Sequence, residues 1–322
     1  MKEYNPVFDF IKGIGIFLVV LGHTLCPSHF LINVFHMPLF FFISGMTFHD
    51  PDDIRNFILK KINRIMVPYV FFTILSVLIC FLIYESPKLS SGFDFNGPLW
   101  FLQTLFLGLM IYLFLCKVIS NRIYLTFVVF LLAFISYYTT KIGIAESFPW
   151  HIMRAFMALL FIHFGCLFSS LSNVIVLKGG RQYVVLLLSG VIYCMSCLIS
   201  MYKYYECESF SFVGSQVYTY NFVLFLLASI SGIIFVVIIC NMLKYNRFIC
   251  YWGGNSLIVL CVHFPVIEQL NIIASKTFLY TFNVGKVILM VMIVSIIMLW
   301  SFLCVKICNK YIPQWTGFKN LL

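Results

Sequence analysis

Two histidines stand where apolar sequence makes a polar side chain expensive. His36 lies in the run FHMPLFFFISG at 35–45, and His23 lies near the end of FDFIKGIGIFLVVLGHTL at 8–25. Ionisable groups at membrane depth are costly and are usually kept for function. A neutral imidazole near pH 7 can take a proton from a hydroxyl, so these residues suggest general base catalysis. Lys12 precedes His23 by eleven residues, about 20° short of whole helical turns and roughly 16 Å along the axis. The two therefore share a helix face, and Asp9, three residues before Lys12, is placed to pair with it. A snorkelling lysine and an interfacial histidine would account for either residue singly, but the same-face Asp–Lys–His series favours function. Only residues 26–30 clearly separate the two runs. The segments are therefore expected to be antiparallel neighbours that bring His23 near His36.

The elements that must position these groups are transmembrane helices. Hydrophobic residues make up 62% of the 322-residue chain and charged residues 10%, with a mean hydropathy of +1.02. Apolar runs recur along the whole length, which excludes an ordinary soluble enzyme. Ten spanning segments are expected, at roughly 8–25, 31–48, 67–84, 99–117, 123–140, 152–169, 183–201, 219–243, 256–274 and 284–308. The fold class is thus an all-α polytopic bundle, a single transmembrane domain over 1–322 with no soluble domain. His263, Pro265 and Glu268 interrupt the ninth segment. The first segment carries Asp9 and Lys12 and lacks a small-x-small cleavage site, so it reads as a retained signal-anchor.

The net charge of +10 is not a nucleic-acid footprint, because the basic residues sit in short clusters between apolar runs. Lys2, Arg55, Lys60, Lys61, Arg64, Lys117, Arg122, Lys178, Arg181, Lys244, Arg247, Lys306, Lys310 and Lys319 fall on one set of connections. Lys88, Lys141, Arg154, Lys203, Lys276 and Lys286 fall on the other. The imbalance predicts that both termini are cytoplasmic and that the connection at about 202–218 is external. Most of the twelve cysteines lie inside apolar runs and read as small buried hydrophobes. Cys194-x-x-Cys197 has no partner at zinc spacing, so no metal is expected, and Cys26 with Cys207 form a candidate external pair.

Other polar residues are scattered through the apolar frame. Lys61 and Arg64 share one face of a short amphipathic stretch after the second segment. On spacing alone that pair reads as positive-inside charge, although it has the geometry of a phosphate clamp. Trp100 opens the fourth segment, Arg154 and His163 lie in the sixth, and Asn255, Ser256, His263 and Glu268 lie in the ninth. A buried Glu268 would have to pair or become neutral. No P-loop, dinucleotide fingerprint, zincin motif or nucleophile elbow is present.

Taken together, four features resemble the acyltransferase-3 family of membrane acyltransferases. They are Lys12-x₁₀-His23, FHMPLFFFISG around His36, Lys61-x-x-Arg64 leading into VPY, and PLWFL at 98–102. Within that family the chain is most similar to the group named after fucose 4-O-acetylase. The resemblance implies a ten-helix protein that takes an acyl group from cytoplasmic acyl-CoA and passes it to a hydroxyl of an extracytoplasmic glycan. It implies His23 as the catalytic histidine, with His36 at a second motif position. Lys61 and Arg64 would hold the CoA phosphates. Lys12 stands where the family commonly has arginine, keeping the charge but losing the bidentate fork.

These readings give the expected site: His23 and His36 catalytic, and Lys12, Lys61 and Arg64 binding acetyl-CoA or another acyl-CoA. Asp9, Trp100, Arg154 and Glu268 form the candidate substrate-binding set. The expected partners are acyl-CoA, a surface or lipid-linked glycan and the bilayer of the cell membrane, with no nucleic acid. A transporter or flippase with Lys12, Arg154 and Glu268 along its path is the competing reading. It would call for corresponding broken helices in two halves, and no internal repeat is visible.

Overall fold

The computed structural model describes residues 6–26, 29–83, 95–170, 180–203, 221–243 and 245–317. The described residues form helices, turns and short connections, with no strand among them. In chain order the α-helices are α1 (Pro6–Gly22), α2 (His29–Asn33), α3 (His36–Met46), α4 (Ile54–Lys61), α5 (Val67–Ile83), α6 (Trp100–Val118) and α7 (Arg122–Lys141). They continue with α8 (Ile152–Ser170), α9 (Gly180–Lys203), α10 (Phe222–Met242), α11 (Arg247–Gly254), α12 (Ser256–Val262), α13 (Phe264–Ser275) and α14 (Asn283–Tyr311).

Eight helical stretches among the described residues are long and apolar enough to cross a membrane, and the bent pair α12–α13 makes a ninth. Helix α1, at 17 residues, supplies the tenth apolar segment the sequence predicts and falls just short of a full span. The interruption expected in the ninth segment is real: α12 and α13 meet at 49°. Outward-facing positions carry large apolar side chains, among them Leu82, Ile123, Leu187 and Leu299. That is the surface a helix presents to lipid. The external connection at about 202–218 lies almost entirely outside the described residues, as does Cys207; Cys26 is a free thiol.

The helices fall into two compact units, each assembled from separate stretches of chain. The first comprises Met1–Gly15, Phe30–Asp50 and Leu107–Gly253; the second comprises Ile16–His29, Pro51–Phe106 and Gly254–Leu322. In the first, α3 packs along α8, α7 along α8, and α9 along α10. Bilayer helices gain little from the hydrophobic effect on meeting, so close backbone approach and local hydrogen bonds must hold them. Helices α3 and α8 meet backbone to backbone: a Cβ at Gly45 would strike the Ile162 carbonyl, and one at Gly165 the Phe42 carbonyl. The Ser229 hydroxyl adds a 2.8 Å bond from α10 to the Val34 carbonyl.

Because neither backbone at this crossing can move without disturbing a whole helix, Gly165→Leu should cost at least the about 1–3 kcal/mol of ordinary overpacking. We expect a markedly lower melting temperature for the detergent-solubilised variant. Gly180→Ala, where a Cβ meets nothing within 4 Å, should behave as wild type. An unshifted Gly165→Leu would mean that the two helices do not touch through their backbones.

Candidate active site

The second unit builds its polar interior from a broken helix. Pro265 has no N–H, so the carbonyl four residues earlier, on Cys261, loses its helical donor. Membrane interiors offer no water to replace it, and side chains must do so. Asn96 Nδ2 donates to Cys261 O at 2.7 Å, and Trp300 Nε1 donates to Val262 O at 3.2 Å. His263, in the break itself, turns its Nδ1 back onto Val259 O and Leu260 O at 3.0 and 2.9 Å. The end of α12 is thus stitched at the bend by three side chains.

His23 faces this stitched bend. It follows the last turn of α1, with its N–H 3.3 Å from the carbonyls of both Val19 and Val20. Its ring lies edge-to-face with His263 at 5.3 Å and with Phe264 at 5.4 Å. From α13, Asn271 Nδ2 donates to the His23 carbonyl at 2.8 Å, fixing the backbone at that point. The ring Nδ1 is 2.8 Å from Val19 O. A carbonyl can only accept, so Nδ1 carries a proton, and in the neutral ring the lone pair is on Nε2. That is the tautomer a general base requires.

Lys61 and Arg64 lie elsewhere in the same unit, and their local structure departs from the expected amphipathic α-helix. Asp53 caps α4 by accepting from the Asn56 N–H at 2.9 Å. At Ile62–Met66 the helix then widens into a π turn before α5 resumes. Such turns are rare and recur at functional sites. Lys61 Nζ sits over the Phe57 ring at 5.2 Å from its centre, while Arg64 is exposed. Asn63 is buried and donates to Leu59 O at 3.0 Å. The chain end braces the turn: Gly317, at φ 78°, lies so near Arg64 that a Cβ would come within 3.0 Å of its carbonyl. Trp315 meets Phe71 at 5.8 Å.

The remaining expected site residues divide between the units. In the first, Lys12 and Asp9 form the anticipated ion pair, at 2.7 Å. Helix α11 packs its backbone beside that pair, and a Cβ at Gly253 would strike Asp9 O. His36 is buried, with Nδ1 2.9 Å from Ile32 O, and Arg154 is half-buried near the start of α8. His23 and His36 thus belong to different units. In the second unit, Trp100 begins α6 after a 3₁₀ turn at Gly97–Leu99 and stacks edge-on to Phe101. Glu268 is exposed on α13 rather than buried.

His163 provides a contrast: Tyr112 Oη and Thr126 Oγ1 engage its two ring nitrogens at 3.0 and 2.9 Å. Both nitrogens are committed to side chains, and it reads as structural. Among the described residues no three His, Cys, Asp or Glu side chains are arranged to hold a metal ion. Sequence reasoning missed Asn96 and Asn271, and it noted His263 without assigning it a role. Pro265 was the available signal, since a proline inside an apolar run announces carbonyls that need donors.

Residues 5–306 match the family model Acyl_transf_3, described as an acyltransferase domain. The chain belongs to the acyltransferase-3 family and is a membrane acyltransferase. No curated protein and no solved structure matches it.

If the Asn271 bond holds His23 in place, Asn271→Ala should slow acyl transfer several-fold. Its cost in stability should be only about 1 kcal/mol, the worth of one such bond. Equal rates from wild type and variant, measured on equal amounts of folded protein, would show that the bond does not position the histidine.

Proposed function

We propose that this membrane acyltransferase is an O-acetyltransferase. It takes acetyl, or another acyl group, from cytoplasmic acyl-CoA and passes it to a hydroxyl of an extracytoplasmic or lipid-linked glycan at the cell membrane. The observation that carries the reading is the tautomer of His23, which leaves a basic nitrogen beside a second histidine in a chain of this family. A sugar hydroxyl is a weak nucleophile until a base takes its proton in the transition state. His23 Nε2 takes that proton as the hydroxyl oxygen attacks the thioester carbonyl. The C–S bond then breaks, the ester is released, and the CoA sulfur recovers the proton from the imidazolium.

Lys61 and Arg64 bind the CoA phosphates in this scheme. The lysine-and-arginine excess on their side of the membrane supports a cytoplasmic location, where acyl-CoA is available. The exposed Arg64 guanidinium is suited to bidentate phosphate contact. Lys12, paired with Asp9, retains a role toward the cofactor. His36 retains the supporting catalytic role that the family resemblance implies. Trp100, Arg154 and Glu268 remain acceptor-side candidates, Glu268 from an exposed position.

His23→Ala should reduce transfer of label from acetyl-CoA to envelope glycan by about 10²–10⁴-fold, the usual contribution of a general base. The variant should remain inserted and folded, and His36→Ala should be less severe. Near-wild-type transfer by His23→Ala would remove the assignment. Label trapped on the enzyme after acyl-CoA alone would replace direct transfer with an acyl-histidine route.

Replacing Lys61 and Arg64 together with Gln should raise the KM for acyl-CoA at least tenfold while leaving the KM for the acceptor near its starting value. An unchanged acyl-CoA dependence in correctly inserted protein would reduce the pair to a topology signal.

A further inference from the structure

Pro68, the second residue of α5, has no N–H, so the Arg64 carbonyl four residues back lacks an α-helical donor. In a regular helix the proline ring would also press on that carbonyl. The widening into a π turn spans Ile62–Met66 and so takes in Arg64. Arg64 therefore stands on backbone that its own helix holds loosely. Its side chain is exposed, so packing does not aim it, and a long arginine stem has many rotamers to lose on binding. Where the guanidinium points depends on how the Arg64 backbone is held.

A segment at the other end of the same unit's sequence holds it. Pro313 ends α14 at Tyr311, because the residue before a proline is driven out of the α region, and Ile312 has φ −134° and ψ 42°. The Ile312 N–H still donates to Cys308 O at 3.0 Å, and the Ile312 carbonyl accepts from the Trp315 N–H at 3.0 Å. The second bond closes a turn with proline in its favoured second position. Trp315 meets Phe71 of α5 at 5.8 Å, and Thr316 is buried. The hook so formed delivers Gly317 at φ 78° onto Arg64. The three atoms nearest a Cβ at that position would be O, Cα and C of Arg64, at 3.0, 3.2 and 3.4 Å. Glycine alone combines that φ with so close an approach of two backbones. The contact falls on the residue whose carbonyl Pro68 leaves without a helical donor.

We propose that Gly317 is a positioning residue of the acyl-CoA site: seated on the Arg64 backbone, it holds the guanidinium in line with the CoA phosphates. The inference rests on the proposed assignment of Arg64 to those phosphates and adds the hook at 312–317 as a part that sets CoA affinity. A guanidinium that forks onto two phosphate oxygens needs a fixed direction, and a small tilt of its backbone costs it both bonds.

The test is calorimetric titration of CoA into full-length protein in detergent. The variants are Gly317→Val, Trp315→Ala and Arg64→Gln, with each of the first two also combined with Arg64→Gln. Gly143→Val is the control, because Gly143 has a φ of 79° but nothing within 4 Å of its Cβ position. Gly317→Val should weaken CoA binding about tenfold, or about 1.4 kcal/mol. Trp315→Ala should weaken it by less, and Gly143→Val should bind as wild type. In the Arg64→Gln background, Gly317→Val should change Kd by less than about twofold, since the arm it aims is gone. A merely structural hook would lower the melting temperature without this dependence on Arg64. Wild-type affinity in Gly317→Val would overturn the inference alone, as would an equal loss with and without the arginine. If Gly317→Val does not fold, the same cycle with Trp315→Ala decides in the same way. Arg64→Gln protein that binds CoA as tightly as wild type would instead overturn the phosphate assignment, and the inference with it.

Discussion

A single missing N–H shapes the polar interior of this protein. Pro265 withholds the donor that Cys261 O would receive in a continuous helix. Carbonyls freed inside a lipid-facing bundle must find partners in the protein. Asn96 supplies the donor that Cys261 O lacks, while Trp300 bonds the Val262 carbonyl and His263 those of Val259 and Leu260. Once His263 is folded back onto its own helix, its ring is fixed, and that ring is what His23 meets. The break would be a defect in a structural span. Here it concentrates polar side chains at one level of the second unit.

The same accounting explains the chemical character of the site. Every donor on Asn96, and the ring proton of each of the two histidines, is committed to a protein acceptor. A neutral imidazole or a carboxamide presents no charge that the bilayer would penalise. The charged residues have their own surroundings: Lys12 pairs with Asp9, and Lys61 with Arg64 sits where α-helix gives way to a π turn braced by Gly317.

Much of this was legible in the sequence, and the limits were physical. Apolar runs locate the helices because each must cover about 30 Å of hydrocarbon. His263 and Pro265 marked the broken ninth segment for the same reason that any proline does. Asn96 and Asn271 were not legible, because their partners lie 165 and 248 residues away and a carboxamide in a loop or amphipathic helix has a dozen ordinary explanations. Nor could spacing show that Glu268 faces outward or that Lys61 and Arg64 straddle a change of helix type. His23 and His36 fall in different units, and no feature of the sequence marks the boundary that runs through α1 at Gly15.

The most direct measurement is a cryo-EM structure of the protein with a non-cleavable thioether analogue of acetyl-CoA. The account predicts phosphate density at Lys61 and Arg64. It also predicts the acyl carbon about 3–3.5 Å from the point where a hydroxyl bonded to His23 Nε2 would sit, the near-attack distance. Clear density for the acyl carbon away from His23, with the nucleotide bound, would contradict the assignment of this histidine as the base.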